Sequence, residues 1–269
     1  MRFHHIFATL SAAIFVSGCF HTEAPVVNEV PVVYQLNDTG VTEYLVESVD
    51  ADTQTSTFSF STSAPEDYPH QDAASQTAFQ FIKVDQAGQQ LAAQNASYST
   101  TPWACVHDKV SGLTWEVKTL TGLQDSGHRY TWYNDDVLVN GGHEGDRGNT
   151  DSCESTLSLC NTTQYTAAIN QLETAGLCGF SDWRLPTREE LRSLVHYGKE
   201  QHSAMIDTAY FPNTDATDHW TSQTAIYADS AGSMAWEVHF NTGYSEAHAK
   251  SSQQVTVRLV RGPQQLFSE

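Results

Sequence analysis

A stretch that starts a helix and also pins a tryptophan ahead of it leaves a chain few ways to fold. Gly179-Phe180-Ser181-Asp182-Trp183-Arg184-Leu185-Pro186-Thr187-Arg188-Glu189-Glu190-Leu191 does both. Thr187 and Glu190, three residues apart, form a capping box in which each side chain satisfies a free backbone N–H of the first turn. From there the helix is expected to run toward Gly198, its stop, with Leu191, Leu194 and Val195 as one narrow apolar stripe. Pro186 stiffens the extended approach, so Trp183 and Leu185 sit at the helix mouth as a packing hub.

The N-terminus reads as an export signal. Met1 to His5 carries one Arg and two His, and Ile6 to Val16 is a mostly apolar run of eleven residues, short of the ~20 needed to span a bilayer. Val16-Ser17-Gly18-Cys19 then resembles the lipobox of bacterial lipoproteins, in which the cysteine becomes the lipid-modified N-terminus. Residues 1–18 are thus expected to be removed and Cys19 to anchor the chain in a membrane. By the rules of that class, Phe20 directs it to the outer membrane, on its periplasmic or surface face.

Cys105, Cys153, Cys160 and Cys178 remain, an even number in an oxidising compartment, so two disulfides are expected. Of the three pairings, we favour Cys153 with Cys160, a small loop, and Cys105 with Cys178, which staples the start of the main domain to the approach of the hub. A zinc site is the rival, but the chain has no CxxC pair. The 32 acidic against 13 basic residues give a net charge of -19, which argues against nucleic acids and anionic membrane surfaces as direct partners.

Residues 19–75 carry ten Asp or Glu from His21 onward and no Lys or Arg, and read as an acidic tether or loosely ordered β extension. Val30 to Leu36 and Thr57 to Phe60 are strand-like within it. A lead-in over 76–102 contains the strand Phe79 to Asp85. The main domain follows over 103–262, with a short tail over 263–269. Leu113, Trp115 and Val117 alternate as one buried strand face, and Tyr130 to Tyr133 is a short aromatic strand. Thr163 to Ala175 has helical spacing, with Asn161 placed to cap it. Three strands come last: His219 to Gln223, Met234 to Phe240 and Gln254 to Val260. Met234, Trp236, Val238 and Phe240 share one face of the second, and Val255, Val257 and Leu259 one face of the third. Asn241-Thr242-Gly243 is a hairpin turn. This order of elements predicts an α+β fold with antiparallel pairing.

Several segments carry a family resemblance: Thr114-Trp115-Glu116-Val117-Lys118, Tyr130-Thr131-Trp132-Tyr133, Leu177-Cys178-Gly179, Asp182-Trp183-Arg184-Leu185-Pro186-Thr187, Trp220-Thr221-Ser222, Ala235-Trp236 and Val257-Arg258-Leu259-Val260-Arg261. From about Trp103 to Gly262 the chain resembles the Lcl C-terminal domain family, named after the C-terminal region of a bacterial collagen-like adhesin. The resemblance implies a C-type-lectin-like fold with two helices and a small antiparallel sheet, and a role in adhesion. No collagen-like Gly-X-Y repeat occurs, so trimerisation through such a stalk is not implied. The namesake's recognition of sulfated glycans fits poorly with a charge of -19 unless a local basic face or bridging Ca²⁺ intervenes.

Three sets of residues are candidate sites. Asp135, Asp136, Asp146, Asn149 and Asp151 supply oxygens in one Gly-bearing loop that can hold Ca²⁺, though a solvated acidic loop accounts for the same residues and the spacing is not that of an EF-hand. Arg188, Arg192, His196 and Lys199 form a basic stripe on the expected helix; the simpler account is a solvated face with Glu189 paired to Arg192. Trp132, Tyr133, Trp220, Trp236 and Tyr244 can stack on sugar rings, though core packing explains most of them first.

The function expected is a non-catalytic binding or adhesion module for a glycan, a matrix polymer or an envelope protein; a structural subunit of an envelope complex is the closest rival. The enzyme alternative is a formylglycine-generating oxidoreductase, whose Arg-Leu-Pro-Thr stretch resembles Arg184 to Thr187. It requires a reactive cysteine pair or an iron-binding histidine set. No cysteine follows Cys178, and His196, His202, His219, His239 and His248 lack facial-triad spacing. Replacing Cys19 by Ser is expected to abolish incorporation of a labelled lipid precursor; unchanged labelling removes the anchor.

Overall fold

Strand alternation explains the architecture. In the computed structural model the described residues are 79–172, 176–199 and 203–262, with the backbone of 44–49 and 56–61. The signal, Cys19, Val30 to Leu36 and the tail lie outside them. β1 (Tyr44–Val49) pairs antiparallel with β2 (Ser56–Ser61), Tyr44 opposite Ser61. β3 (Phe81–Val84), β4 (Cys105–Asp108) and β5 (Thr114–Glu116) pair in that order. After α1 (Thr162–Asn170) and α2 (Arg188–Arg192), the strands β6 (Asp218–Ala225), β7 (Met234–His239) and β8 (Ser245–Ala249) form a second antiparallel sheet. β9 (Val260–Arg261) returns to the first sheet as the neighbour of β5. The fold class is α+β, as expected. No helix among the described residues is long and apolar enough to cross a membrane.

The first sheet is covered on both faces, because odd and even positions of its strands feed two different cores. Phe81, Val106, Leu113, Trp115, Val117 and Val260 pack with Leu191, Leu194, Val195 and Phe211. Val84 and Cys105 face the other way, into a core with Tyr165, Ile169, Trp183 and Trp220, where Val255, Val257 and Leu259 join them. The expected disulfides are present: Cys105–Cys178 ties β4 to the approach of α2, and Cys153–Cys160 closes the small loop before α1.

Several elements differ from expectation. α2 stops at Arg192, well short of Gly198. The Ser193 hydroxyl donates to the Glu190 carbonyl at 2.7 Å, and the His196 N–H turns to the Met205 carbonyl, so the backbone leaves the helix to pair with a distant segment. Leu194 and Val195 are still buried, but from turns. α1 ends at Asn170, whose side-chain amide exchanges two hydrogen bonds with the Trp183 backbone, at 2.8 and 2.9 Å. Tyr130 to Tyr133 and Gln254 to Leu259 are extended segments with isolated bridges, since their N–H groups bond to loops instead of one continuous strand. On β7 only Val238 and Phe240 of the expected face are fully buried; Trp236 is roofed by the Arg188 guanidinium, 4.6 Å from its ring.

Between the cores lies one buried charge. The Glu116 carboxylate receives the Lys118 ammonium at 3.1 Å, the Tyr165 hydroxyl and the Leu259 N–H at 2.9 Å, while Arg258 donates to the Glu116 carbonyl at 2.6 Å. Burial pushes the Lys118 pKa down, opposed by Glu116, and pushes the Tyr165 phenol up, with Glu116 adding to it. Burial also draws Arg258 down to about 10. Glu116→Ala leaves the buried Lys118 ammonium without its carboxylate, so it is expected to destabilise the domain by roughly 3–5 kcal/mol in urea unfolding. A loss below about 1 kcal/mol would show that the network is not holding the sheet.

Candidate functional site

A cleft of about 790 Å³ opens between α1, the loop after Tyr133 and β6, with Arg184 and Leu185 at its floor. The sequence builds it from three local devices. On α1, Thr162, Thr163 and Thr166 line the cleft, and two of their hydroxyls clamp the loop: Thr162 Oγ1 and Thr163 Oγ1 donate to the Tyr133 carbonyl at 2.9 and 2.6 Å. Asn161 caps the helix as expected, accepting from the Gln164 N–H at 2.9 Å. At the floor, the capping box does two jobs. Glu190 accepts the Thr187 N–H and is also gripped by both terminal nitrogens of Arg184 at 2.8 Å, a bidentate pair that fixes the guanidinium against the cleft.

The third device is the loop from Asn134 to Gly145. Asn134 N–H bonds to the Glu144 carbonyl at 2.8 Å, closing its base. Lys250, buried beneath it, donates from Nζ to the Asn140 and His143 carbonyls at 2.8 and 2.7 Å, with the face of Trp132 4.0 Å away. Burial lowers the Lys250 pKa to about 8, yet two carbonyls and an indole face solvate its ammonium at neutral pH. Gly145 has φ +95° and passes so close to the Trp132 carbonyl that a side chain has no room.

The base of the loop is tied down while its tip is apolar and exposed. Val137 is 76% and Leu138 88% exposed, and Ile226 across the mouth is 65% exposed. Half-exposed Val139 and Tyr227 extend the same surface. Three exposed aliphatic side chains in a row at a loop tip rim the cleft with apolar surface that water solvates poorly.

The residues singled out from sequence separate under this geometry. Trp132 and Trp220 are fully buried and spend their indole N–H groups on the Thr221 and Tyr130 carbonyls, at 2.9 and 2.7 Å; neither offers a face to a sugar. Tyr133 is buried at the cleft wall, and Tyr244 is exposed on the β7–β8 turn. The basic stripe does not form, because α2 ends at Arg192. Arg188 pairs with Glu189 at 2.8 Å and lies over Trp236, Arg192 is exposed, and the Lys199 ammonium donates to the Ile206 carbonyl at 2.6 Å.

The acidic loop does not converge either. Asp136, Asp146 and Asn149 each accept a backbone N–H from two residues on, at 2.9, 2.7 and 2.9 Å, while Asp151 takes the Thr150 hydroxyl at 3.2 Å and Asp135 lines the cleft. Sequence spacing also missed one convergence. His239 and His248, on neighbouring strands, meet at the single carboxylate of Glu237. Alternation marks Glu237 as a strand residue, but only the register of β7 and β8 brings the three together.

The fold and site together define a disulfide-stapled α+β domain with an open cleft under a tied loop. The chain belongs to the Lcl C-terminal domain family, whose model matches residues 104–261. Family membership points to a surface-binding or adhesion-type domain. No curated protein and no solved structure matches the chain.

Lys250 carries the loop's tertiary contact, so Lys250→Met is expected to speed amide exchange across 134–145 by about 10- to 100-fold, from the ~1.5–3 kcal/mol typical of hydrogen bonds to a charged group. Unchanged exchange there would mean that the loop holds itself.

Proposed function

We propose that the chain is an exported binding module of C-type-lectin-like build, anchored through lipid at Cys19, that seats an envelope or matrix protein in the cleft beneath the 134–145 loop and carries out no catalysis. The observation that carries this reading is the aliphatic rim. Leu138 at 88% exposure, with Val137 and Ile226 beside it, offers apolar surface whose burial is worth roughly 1.5–3 kcal/mol per side chain. The floor adds polar groups that fix orientation: Arg184, Asn170 and Gln223 beside the apolar wall, a common composition for a ligand cleft.

The tethering 19–75 segment supports presentation away from the membrane, and its acidity supports a stand-off from anionic lipid. A non-catalytic role is supported by the cysteines. All four that follow Cys19 are paired in disulfides, which leaves the cysteine-based form of the formylglycine-type alternative without its free thiol pair. A glycan ligand is the second reading, supported by exposed Tyr227 and Tyr244. It is weaker because the most attractive stacking platforms, Trp132 and Trp220, are inside.

A photoreactive side chain in place of Leu138 is expected to give a discrete protein adduct in intact cells. Ile226→Asp on the facing rim should suppress that adduct and weaken the isolated complex by about tenfold or more, the equivalent of ~1.4 kcal/mol. Glycan-array binding that Ile226→Asp leaves untouched, with no protein adduct, would overturn the reading in favour of a sugar held elsewhere.

A further inference from the structure

The second sheet gathers five ionisable side chains on one face, none of them part of the cleft. Asp218 comes from β6, Glu237 and His239 from β7, and Glu246 and His248 from β8. The register does this: Asp218 stands opposite His239, and Glu237 opposite Glu246. Alternation then turns Glu237, His239, Glu246 and His248 to the same side as Asp218.

The distances are short throughout. His239 Nδ1 lies 2.6 Å from Asp218 Oδ1, and its Nε2 lies 3.3 Å from Glu237 Oε1 and 3.0 Å from Glu246 Oε1. His248 Nδ1 is 3.1 Å from the same Glu237 oxygen. Atoms of Asp218, Glu237 and His239 all lie within 4.8 Å of one another.

Two details go beyond an ordinary ion-pair cluster. Glu237 is fully buried, and its second oxygen, Oε2, has no hydrogen-bond partner. A buried carboxylate oxygen left without a donor is costly, and the usual remedies are a water or a cation. In addition, His239 Nε2 makes no hydrogen bond despite two carboxylates within 3.3 Å. Its ring faces them at the spacing of co-ligands, out of line for N–H donation.

We propose that Asp218, Glu237 and His239, whose donor atoms converge, hold a zinc-class divalent transition-metal ion, with Glu246 and His248 at the edge of the site. The spacing suits such an ion. A tetrahedron with metal–ligand bonds of 2.0–2.1 Å has edges of about 3.3 Å, and donor atoms of Asp218, Glu237 and His239 all lie within 4.8 Å of one another. An imidazole with two carboxylates favours zinc or its neighbours over Ca²⁺ and Mg²⁺, which prefer all-oxygen sets. His248 is held from behind by the edge of Trp220, 6.3 Å between centroids.

Without the ion, a proton takes its place. The Asp218 carboxylate on Nδ1, followed by the Glu237 carboxylate beside the ring, pushes the His239 pKa up to about 10. The competing account is therefore an imidazolium held among carboxylates as a purely structural clamp.

The two accounts separate on direct titration. The full chain, purified in detergent and stripped with chelator, is titrated calorimetrically with ZnCl₂ and spectroscopically with CoCl₂. One equivalent of Zn²⁺ and the intense visible bands of tetrahedral Co²⁺ are expected. Asp218→Asn, at a half-buried position that leaves the core intact, should abolish both; His248→Gln, which removes an outer hydrogen bond to Glu237, should weaken Zn²⁺ binding by about 10–100-fold. Absence of stoichiometric uptake, or uptake that Asp218→Asn and Glu237→Gln leave unchanged, overturns the site and leaves the imidazolium clamp.

Discussion

The Glu116 carboxylate is the point through which the domain is joined. It sits at the end of β5, yet its partners come from Lys118 two residues on, from Tyr165 in the middle of α1 and from the backbone of Leu259 just before β9. A buried charge is costly to desolvate, and the cost is offset only when every lone pair finds a donor. That condition makes the network directional where apolar packing is not. The helix, the sheet and the C-terminal segment have one relative placement in which Glu116 is satisfied. The flanking Trp115 and Val117 bury themselves in the opposite core, so the same three residues both seal one face of the sheet and lock the other.

The cleft follows from that placement. With α1 held by Tyr165 at its inner face, Thr162 and Thr163 at its start are placed to clamp the Tyr133 carbonyl. The chain between Tyr133 and Gly145 must then leave the body and return, and Lys250 fills the space beneath it. A loop fastened at its base by charge-assisted hydrogen bonds can carry an apolar tip in water without collapsing onto the core. A rigid, exposed aliphatic tip suits recognition, because the ordering cost of binding is met during folding.

The capping box shows how one motif serves both folding and the site. Glu190 completes the box with Thr187 and, with the same carboxylate, holds Arg184 at the cleft floor. Arg184 also exchanges two backbone hydrogen bonds with Val260 at 2.9 Å, so the start of α2 is stitched to the edge of the first sheet. Five residues of helix suffice here because tertiary contacts, and not helix propagation, stabilise it.

Features set by near neighbours were legible in the sequence alone. The capping box at Thr187, the Asn161 cap, the alternation of Leu113, Trp115 and Val117, and the hairpin turn at Gly243 all rest on interactions within a few residues, where spacing decides geometry. Both disulfides were also legible, because four cysteines leave few pairings. Only the tertiary structure decided where α2 stops, since that turned on His196 finding Met205, and which aromatics remain outside, since Trp132 and Trp220 look alike to Tyr244 until the core closes over them. The same holds for the meeting of His239 and His248 at Glu237. Strand register is a long-range quantity, summed over every packed face of the sheet, and one residue of slip would send these side chains to opposite sides.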